Sequence, residues 1–276
     1  FSLCSYSSLA QHILFYNVEN LFDTLHDRGK NDFDFTPNGA YSYASPTYFL
    51  KIRQTARALR SAMNTTEHTI DIIAVAEVEN RTVLLDLAKH KAIRSFGPWR
   101  IVHFDSPDRR GIDCGALINL RTSRVIQSKP ITYSSGHFKT RDALLLVTRS
   151  ASQKDSIDLT SVIVHLPSKR GGALKSAPFR RMALSAVLAE LDCDSAQNQL
   201  IVGDFNDLST ADYFQNIMDS GWTAPGFSHP KNINGTYEIQ GRWQHIDLAL
   251  YRSKRQYQGR ILAPPIMLRT DTKWGR

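Results

Sequence analysis

The chain has 276 residues, 42% of them hydrophobic, and carries 34 Lys and Arg against 26 Asp and Glu, a formal net charge of +8. No run approaches the roughly 18 to 20 consecutive apolar residues that cross a bilayer, which excludes a membrane-spanning protein, and the length is ample for one large core. The three cysteines, Cys4, Cys114 and Cys193, form no CxxC pair, which excludes a thiolate-built zinc cluster, and their odd number excludes a complete disulfide framework. A sequence pI of about 9.4 leaves two readings open: a surface whose field gathers polyanions, or a mildly basic solvated exterior.

In chain order, the first eleven residues read FSLCSYSSLAQ, small and apolar until Gln11. That pattern matches the end of a secretory signal peptide with cleavage after Ala10, and gives the expectation of an exported protein, periplasmic or extracellular. Residues 11–276 are then expected to form a single domain. β-Branched or alternating runs bounded by turn residues predict ten strands. They are Ile13 to Val18, Asp71 to Val78, Arg100 to Phe104, Asp113 to Leu120, Arg124 to Tyr133, Ala143 to Arg149, Ile157 to His165, Leu200 to Gly203, Gly235 to Gln240 and Ile246 to Tyr251. Phe49, Ile52, Ala56, Leu59 and Met63 recur at spacings of three and four, which predicts one helical face. Leu174 to Leu191 and Ser209 to Asp219 follow the same rule. Long runs of strands with few helices predict an α+β fold of sheets packed face to face, with helices outside. No GxGxxG or GxxxxGKS loop supports a doubly wound sheet.

Four of the apolar strands carry polar groups near their ends. Asp204 and Asn206 follow the run LIVG, and in an extended chain residues i and i+2 point the same way. A carboxylate able to take a proton and an amide able to donate to an oxyanion would thus project together. Glu77 interrupts the apolar strand beginning at Asp71, where a lone carboxylate costs several kcal/mol unless paired or bound to a cation. Taken alone, a salt bridge is the simpler account of it. Asn17 and Glu19 repeat the i, i+2 pattern, and Asp247 sits inside the apolar run HIDLALY. This inventory of oxygen donors suits Mg²⁺ or Mn²⁺ better than Zn²⁺, and with the positive charge it points to phosphate-ester hydrolysis.

The motifs YNVENLFD, AEVEN, RRGIDCGALIN, HLPSKRGG, VGDFND and GRWQHIDLALY occur in this order between about Ile13 and Tyr251. In them the chain resembles the endonuclease/exonuclease/phosphatase superfamily. The resemblance implies a four-layer α/β/β/α sandwich of two mixed β-sheets flanked by helices, with the site at one end. It implies Glu77 as principal Mg²⁺ ligand, Asn17 and Glu19 completing the metal and phosphate environment, Asp204 handling the attacking water and Asn206 donating to the phosphoryl oxygen. His165 and Ser168 fall where the family places phosphate-contacting groups, with Lys169 and Arg170 beside them and Arg110 and Arg141 as further basic candidates. The pair Arg180 and Arg181 reads instead as a solvated helix face. Asp247 resembles the Asp that orients a histidine of a terminal Ser-Asp-His motif. That motif is absent from this sequence, and the expectation is that the chain stops before the family's end.

The function expected is a divalent-metal-dependent phosphodiesterase, foremost an endonuclease acting on nucleic acid, working as a monomer. A phosphatase or phospholipase-C-type hydrolase acting on sugar phosphates or lipid headgroups is the alternative. A catalytically impaired nucleic-acid-binding module is the second.

Overall fold

Strands such as ILFYNVENL and IIAVAEV are apolar at nearly every position, the pattern of a sheet covered on both faces. A computed structural model describes residues 2–5, 11–133, 138–151, 158–169, 171–193 and 197–264. Its elements begin with β1 (Ser2–Ser5), β2 (Ile13–Leu21), α1 (Ser45–Asn64), β3 (Ile72–Val78), α2 (Arg81–Lys89), β4 (Trp99–His103) and β5 (Asp113–Asn119). There follow β6 (Ser123–Ile131), β7 (Ala143–Ser150), β8 (Leu159–His165), α3 (Ala173–Asp192), β9 (Asn198–Asp204) and α4 (Asp212–Asp219). The last are β10 (Gly226–Ser228), β11 (Tyr237–Ile239), β12 (Arg242–Gln244), β13 (Asp247–Ser253) and β14 (Gln258–Ile261).

One sheet runs β10-β14-β1-β2-β3-β5-β4 and the other β13-β9-β8-β7-β6, with β11 and β12 forming a separate hairpin. Both sheets are mixed, since β2 with β3, β10 with β14, and β8 with β9 pair in parallel. Alternation along each strand sends successive side chains to opposite faces. Ile13, Phe15, Ile72 and Ala74 meet Leu146, Ile163 and Val202 of the second sheet in the central core. Leu14, Ile73 and Val75 pack outward against Ile52, Leu59 and Leu84, and Val162 and Ile201 against Leu184, Val187 and Phe214. The result is the four-layer α/β/β/α sandwich expected.

The alternation breaks at two adjacent places. The β2–β3 register shifts between Asn17 and Leu21, and the β3–β5 register shifts between Ala76 and Val78. Glu19, Asn20 and Glu77 there take φ of 53°, 59° and 64°, a region that non-glycine residues rarely occupy. Such bulges re-aim a side chain at the end of a strand, and they put the polar ends of β2 and β3 at one edge of the sandwich.

Several expectations are corrected. Phe49 is 59% exposed, because the buried face of α1 is Tyr48, Ile52, Thr55, Ala56, Leu59, Ala62 and Met63. α4 begins at Asp212, not Ser209, and its N-cap residue Ala211 makes no side-chain cap. α2, which the sequence reading passed over, is capped by the Asn80 side chain accepting from the N–H groups of Thr82 and Val83. Ser2–Ser5, given no structural role from sequence, pairs antiparallel with both β2 and β14.

Candidate active site

The polar ends of β2, β3, β8, β9 and β13 converge because their strands do. His165, the last residue of β8, stands opposite Asp204, the last of β9, and Asp247, the first of β13, stands opposite Asp204 on its other side. Across the sandwich, the Asn17 amide donates to Asp204 Oδ2 at 3.1 Å and to Glu77 Oε1 at 3.3 Å. Glu77 Oε2 accepts from the Asn20 N–H at 2.9 Å. His165 Nε2 lies 3.8 Å from both Glu77 Oε1 and Asp204 Oδ2, and its Nδ1 is buried without a hydrogen-bond partner among the described residues.

The two i, i+2 pairs are held together differently from the extended-chain expectation. The Asn206 N–H donates to Asp204 Oδ1 at 2.8 Å and the Glu19 N–H to Asn17 Oδ1 at 3.0 Å. Both are side-chain turns of the Asx kind, and Asn206 and Glu19 carry φ of 49° and 53°. The chain therefore bends after Asn17 and after Asp204. Asn206 Nδ2 reaches across to the Leu166 carbonyl at 3.0 Å. Glu19 is exposed, and its N–H fixes the orientation of the Asn17 amide, whose nitrogen consequently faces the two carboxylates.

Burial sets the protonation of this group. It pushes Asp204 up to about 6, with the Glu77 charge adding to the rise, while the Asn206 and Asn17 hydrogen bonds and Arg141 oppose it. Asp247 is pushed up to about 8 by burial and by the Asp204 charge beside it. His165 is held well below the ordinary imidazole range by burial, then by Arg141 and Arg110. At neutral pH the site thus holds a neutral imidazole, an ionised Asp204 and a largely protonated Asp247.

The basic candidates divide. Arg141 is 3% exposed and donates to the His165 and Leu166 carbonyls at 2.7 and 2.5 Å, with Asp108 Oδ2 3.6 Å away. It clamps the end of β8 and lends the site its charge. Lys169 pairs with Asp207 at 3.0 Å. Arg110 and Ser168 line a cleft of about 450 Å³ together with Arg109, Lys139 and Lys175, in which Asp108 is the only carboxylate among the described residues. Arg170 lies outside the described residues.

Three residues that brace the candidate site escaped the sequence reading. Asp108 anchors both Arg141 and the Arg110 N–H, and Thr236 Oγ1 accepts from the Asp247 N–H at 3.0 Å. Arg180 is 1% exposed, not a solvated residue. It binds Asp207 at 2.9 Å and Ser176 Oγ at 2.7 Å. The signal was present, since Arg180 shares the spacing of Ala183, Leu184, Val187 and Leu191 on the apolar face of α3.

Residues 12–253 match a family model described as the Endonuclease/Exonuclease/phosphatase family. No curated protein sequence matches significantly. Among solved structures, an endonuclease/exonuclease/phosphatase family protein from Bacteroides thetaiotaomicron is similar over 91% of this chain and 83% of its own, with 12% identity and a TM-score of 0.58. A humanized D. rerio TDP2 covers 95% and 86%, with 15% identity and a TM-score of 0.57. A mannosyl-6-phosphatase from Bacteroides thetaiotaomicron VPI-5482 covers 89% and 86%, with 11% identity and a TM-score of 0.56.

Proposed function

The chain belongs to the endonuclease/exonuclease/phosphatase family, and from that premise we propose that it is a divalent-metal-dependent phosphodiesterase that cleaves nucleic-acid phosphodiester bonds. The observation that carries this reading is the Asn17 amide set between Glu77 and Asp204, two carboxylates brought together from different sheets. Neither carboxylate forms an ion pair with Lys or Arg among the described residues. Two converging carboxylates that no Lys or Arg ion-pairs are hard oxygen donors that fit Mg²⁺ or Mn²⁺, which Glu77 would hold with Asn17 and Glu19 at its side. When bound, such a cation neutralises charge building on the phosphoryl oxygens.

The chain's own groups supply the rest. Asp204, near 6, is ionised at neutral pH yet basic enough to take the proton of a water aimed at phosphorus. His165, kept neutral, holds a phosphoryl oxygen through an N–H and does not compete with Asp204 as a base. Asn206 commits one amide N–H to Leu166, leaving the other to meet the oxyanion. Asp247, protonated up to about pH 8, adds no further negative charge where an anionic substrate must approach.

The basic cleft supports a polyanionic substrate, because phosphates flanking the scissile bond would lie along Arg109, Arg110, Lys139 and Lys175. The fold likeness to a mannosyl-6-phosphatase supports a second reading, hydrolysis of a sugar phosphomonoester. Turnover of plasmid DNA, bis-nitrophenyl phosphate and hexose phosphates, each with and without EDTA, separates the two. Diester cleavage abolished by EDTA and reduced at least a hundredfold by Glu77→Ala is the expected result. Cleavage that survives both treatments overturns the mechanism.

A further inference from the structure

The basic cleft beside the active site also holds two aromatic rings that the proposed chemistry does not use. Phe138 and Phe179 line it, stacked on each other with ring centroids 4.2 Å apart and planes 13° from parallel. They come from separate elements: Phe138 is half-buried in the segment leading into β7, and Phe179, on α3, is 39% exposed. A single exposed apolar side chain is ordinary on a protein surface. Two rings that meet inside a cleft make a flat platform, and neither contacts another aromatic ring among the described residues.

Cations edge this platform. Lys139 follows Phe138 in the chain, and Lys175 precedes Phe179 at the i, i+4 spacing that sets two side chains on one helical face. Both lysines line the cleft with Arg109 and Arg110. The chain also ties the cleft to the chemistry. Pro167 on its wall comes two residues after His165, and Arg141 on the same wall donates to the His165 carbonyl at 2.7 Å. A substrate with one phosphate at His165 would therefore lay its neighbouring group along the rings.

Cations that track phosphates, combined with aromatic faces that take bases, are the two features by which proteins hold single-stranded nucleic acid. In a duplex each base is covered above and below by its neighbours, and only an unpaired base can be splayed onto a side chain. A hexose phosphate offers hydroxyls and no aromatic face. Resting on the reading of the chain as a nucleic-acid phosphodiesterase, we propose that Phe138 and Phe179 stack an unpaired base beside the scissile phosphate, which makes single-stranded nucleic acid the substrate.

Two measurements keep this inference apart from the nuclease reading. Binding is followed by fluorescence anisotropy of labelled DNA with the full chain carrying Asp204→Asn in Mg²⁺, where turnover is suppressed, and cleavage is followed with the wild type. Three ligands of equal length are compared: a single strand, the same strand in a blunt duplex, and a strand of abasic residues. The single strand should bind about fivefold or more tighter than the abasic strand, the low end of what base–aromatic stacking gives, and also tighter than the duplex. Phe179→Ala and Phe179→Leu should each erase the advantage over the abasic strand, leave abasic binding unchanged and, because Phe179 is exposed, leave the thermal midpoint unchanged. Equal loss on base-bearing and abasic strands, binding kept in Phe179→Leu, or preference for the duplex overturns the proposal. Phe179-dependent binding of the single strand without its cleavage by the wild type supports the base platform and overturns the nuclease reading. Cleavage of the single strand that neither Phe179 variant alters keeps the nuclease reading and overturns the platform.

Discussion

At the scale of single residues, the site uses burial to assign protons. Asp204 and Asp247 stand opposite each other, and their separation to about 6 and about 8 leaves one ionised at neutral pH and keeps the other protonated. Asp204→Asn should lower turnover on the order of 10²–10⁴-fold, the usual loss for a general base. The same variant should not lower the thermal midpoint of metal-free protein at pH 8, because it removes a buried charge. Matched activity and melting curves check the pair of outcomes, and a large loss of stability would contradict the assignment. Arg180 behaves in the opposite way. It is buried against Asp207, so Arg180→Ala should cost about 3 kcal/mol in urea unfolding, as removal of one partner from a buried pair does. Arg181, exposed and 5.8 Å from the Tyr213 ring centroid, should change stability by about 0.5 kcal/mol or less on truncation.

At the scale of elements, the site depends on how closely strands approach. Gly203 in β9 has φ 155°, and a Cβ there would stand 1.9 Å from the Val164 carbonyl oxygen. Val164 and Gly203 are register partners one step before His165 and Asp204. Gly203→Ala should therefore push β8 and β9 apart, costing about 1 to 3 kcal/mol as overpacking does, and reduce kcat more than KM because His165 and Asp204 lose register. Substrate titration together with chemical denaturation measures both. The Asn80 cap on α2 is a smaller matter, and Asn80→Ala should cost about 1 kcal/mol. Asp23 and Glu79 also bond the Asn80 side chain, so the β2–α1 loop should loosen with it.

At the scale of the whole molecule, these protonation states give stability a pH dependence with a definite sign. Asp247 and Glu79 are both raised to about 8 by burial first. A folded-state value above the unfolded one means that the stabilisation is complete below about pH 4 and is lost as pH rises through the folded value. His165 and His12 are lowered, chiefly by burial, so their penalty grows as pH falls below about 6.5. Above the histidine range only the raised carboxyls still hold protons that the unfolded chain has released, so the thermal midpoint of metal-free protein should fall as pH rises from about 6.5 to about 8. Divalent cation should shrink that alkaline fall, since a bound cation stabilises the ionised carboxylates. Melting curves in EDTA and in excess cation test this, and a flat EDTA profile would contradict it.

The sequence by itself determined the class of fold and ten of the fourteen strands among the described residues, because residues buried on both faces must be apolar and that demand is written locally. It also singled out Asn17, Glu77, Asp204, Asn206 and Asp247, because polarity at the end of an apolar strand is conspicuous, whereas His165 came only through the resemblance of its motif. What only the tertiary structure decided was which atoms meet. The turns after Asn17 and Asp204 rest on positive φ at Glu19 and Asn206, a backbone choice that no side-chain period reports. Arg141 and Arg180 became buried clamps because carbonyls and Asp207, distant in sequence, surround them. The short strand Ser2–Ser5 exists through its pairing with β14, more than 250 residues along the chain. Periodicity records which side of an element is wet, whereas hydrogen-bond partners and electrostatic fields arise only between elements that folding has brought together.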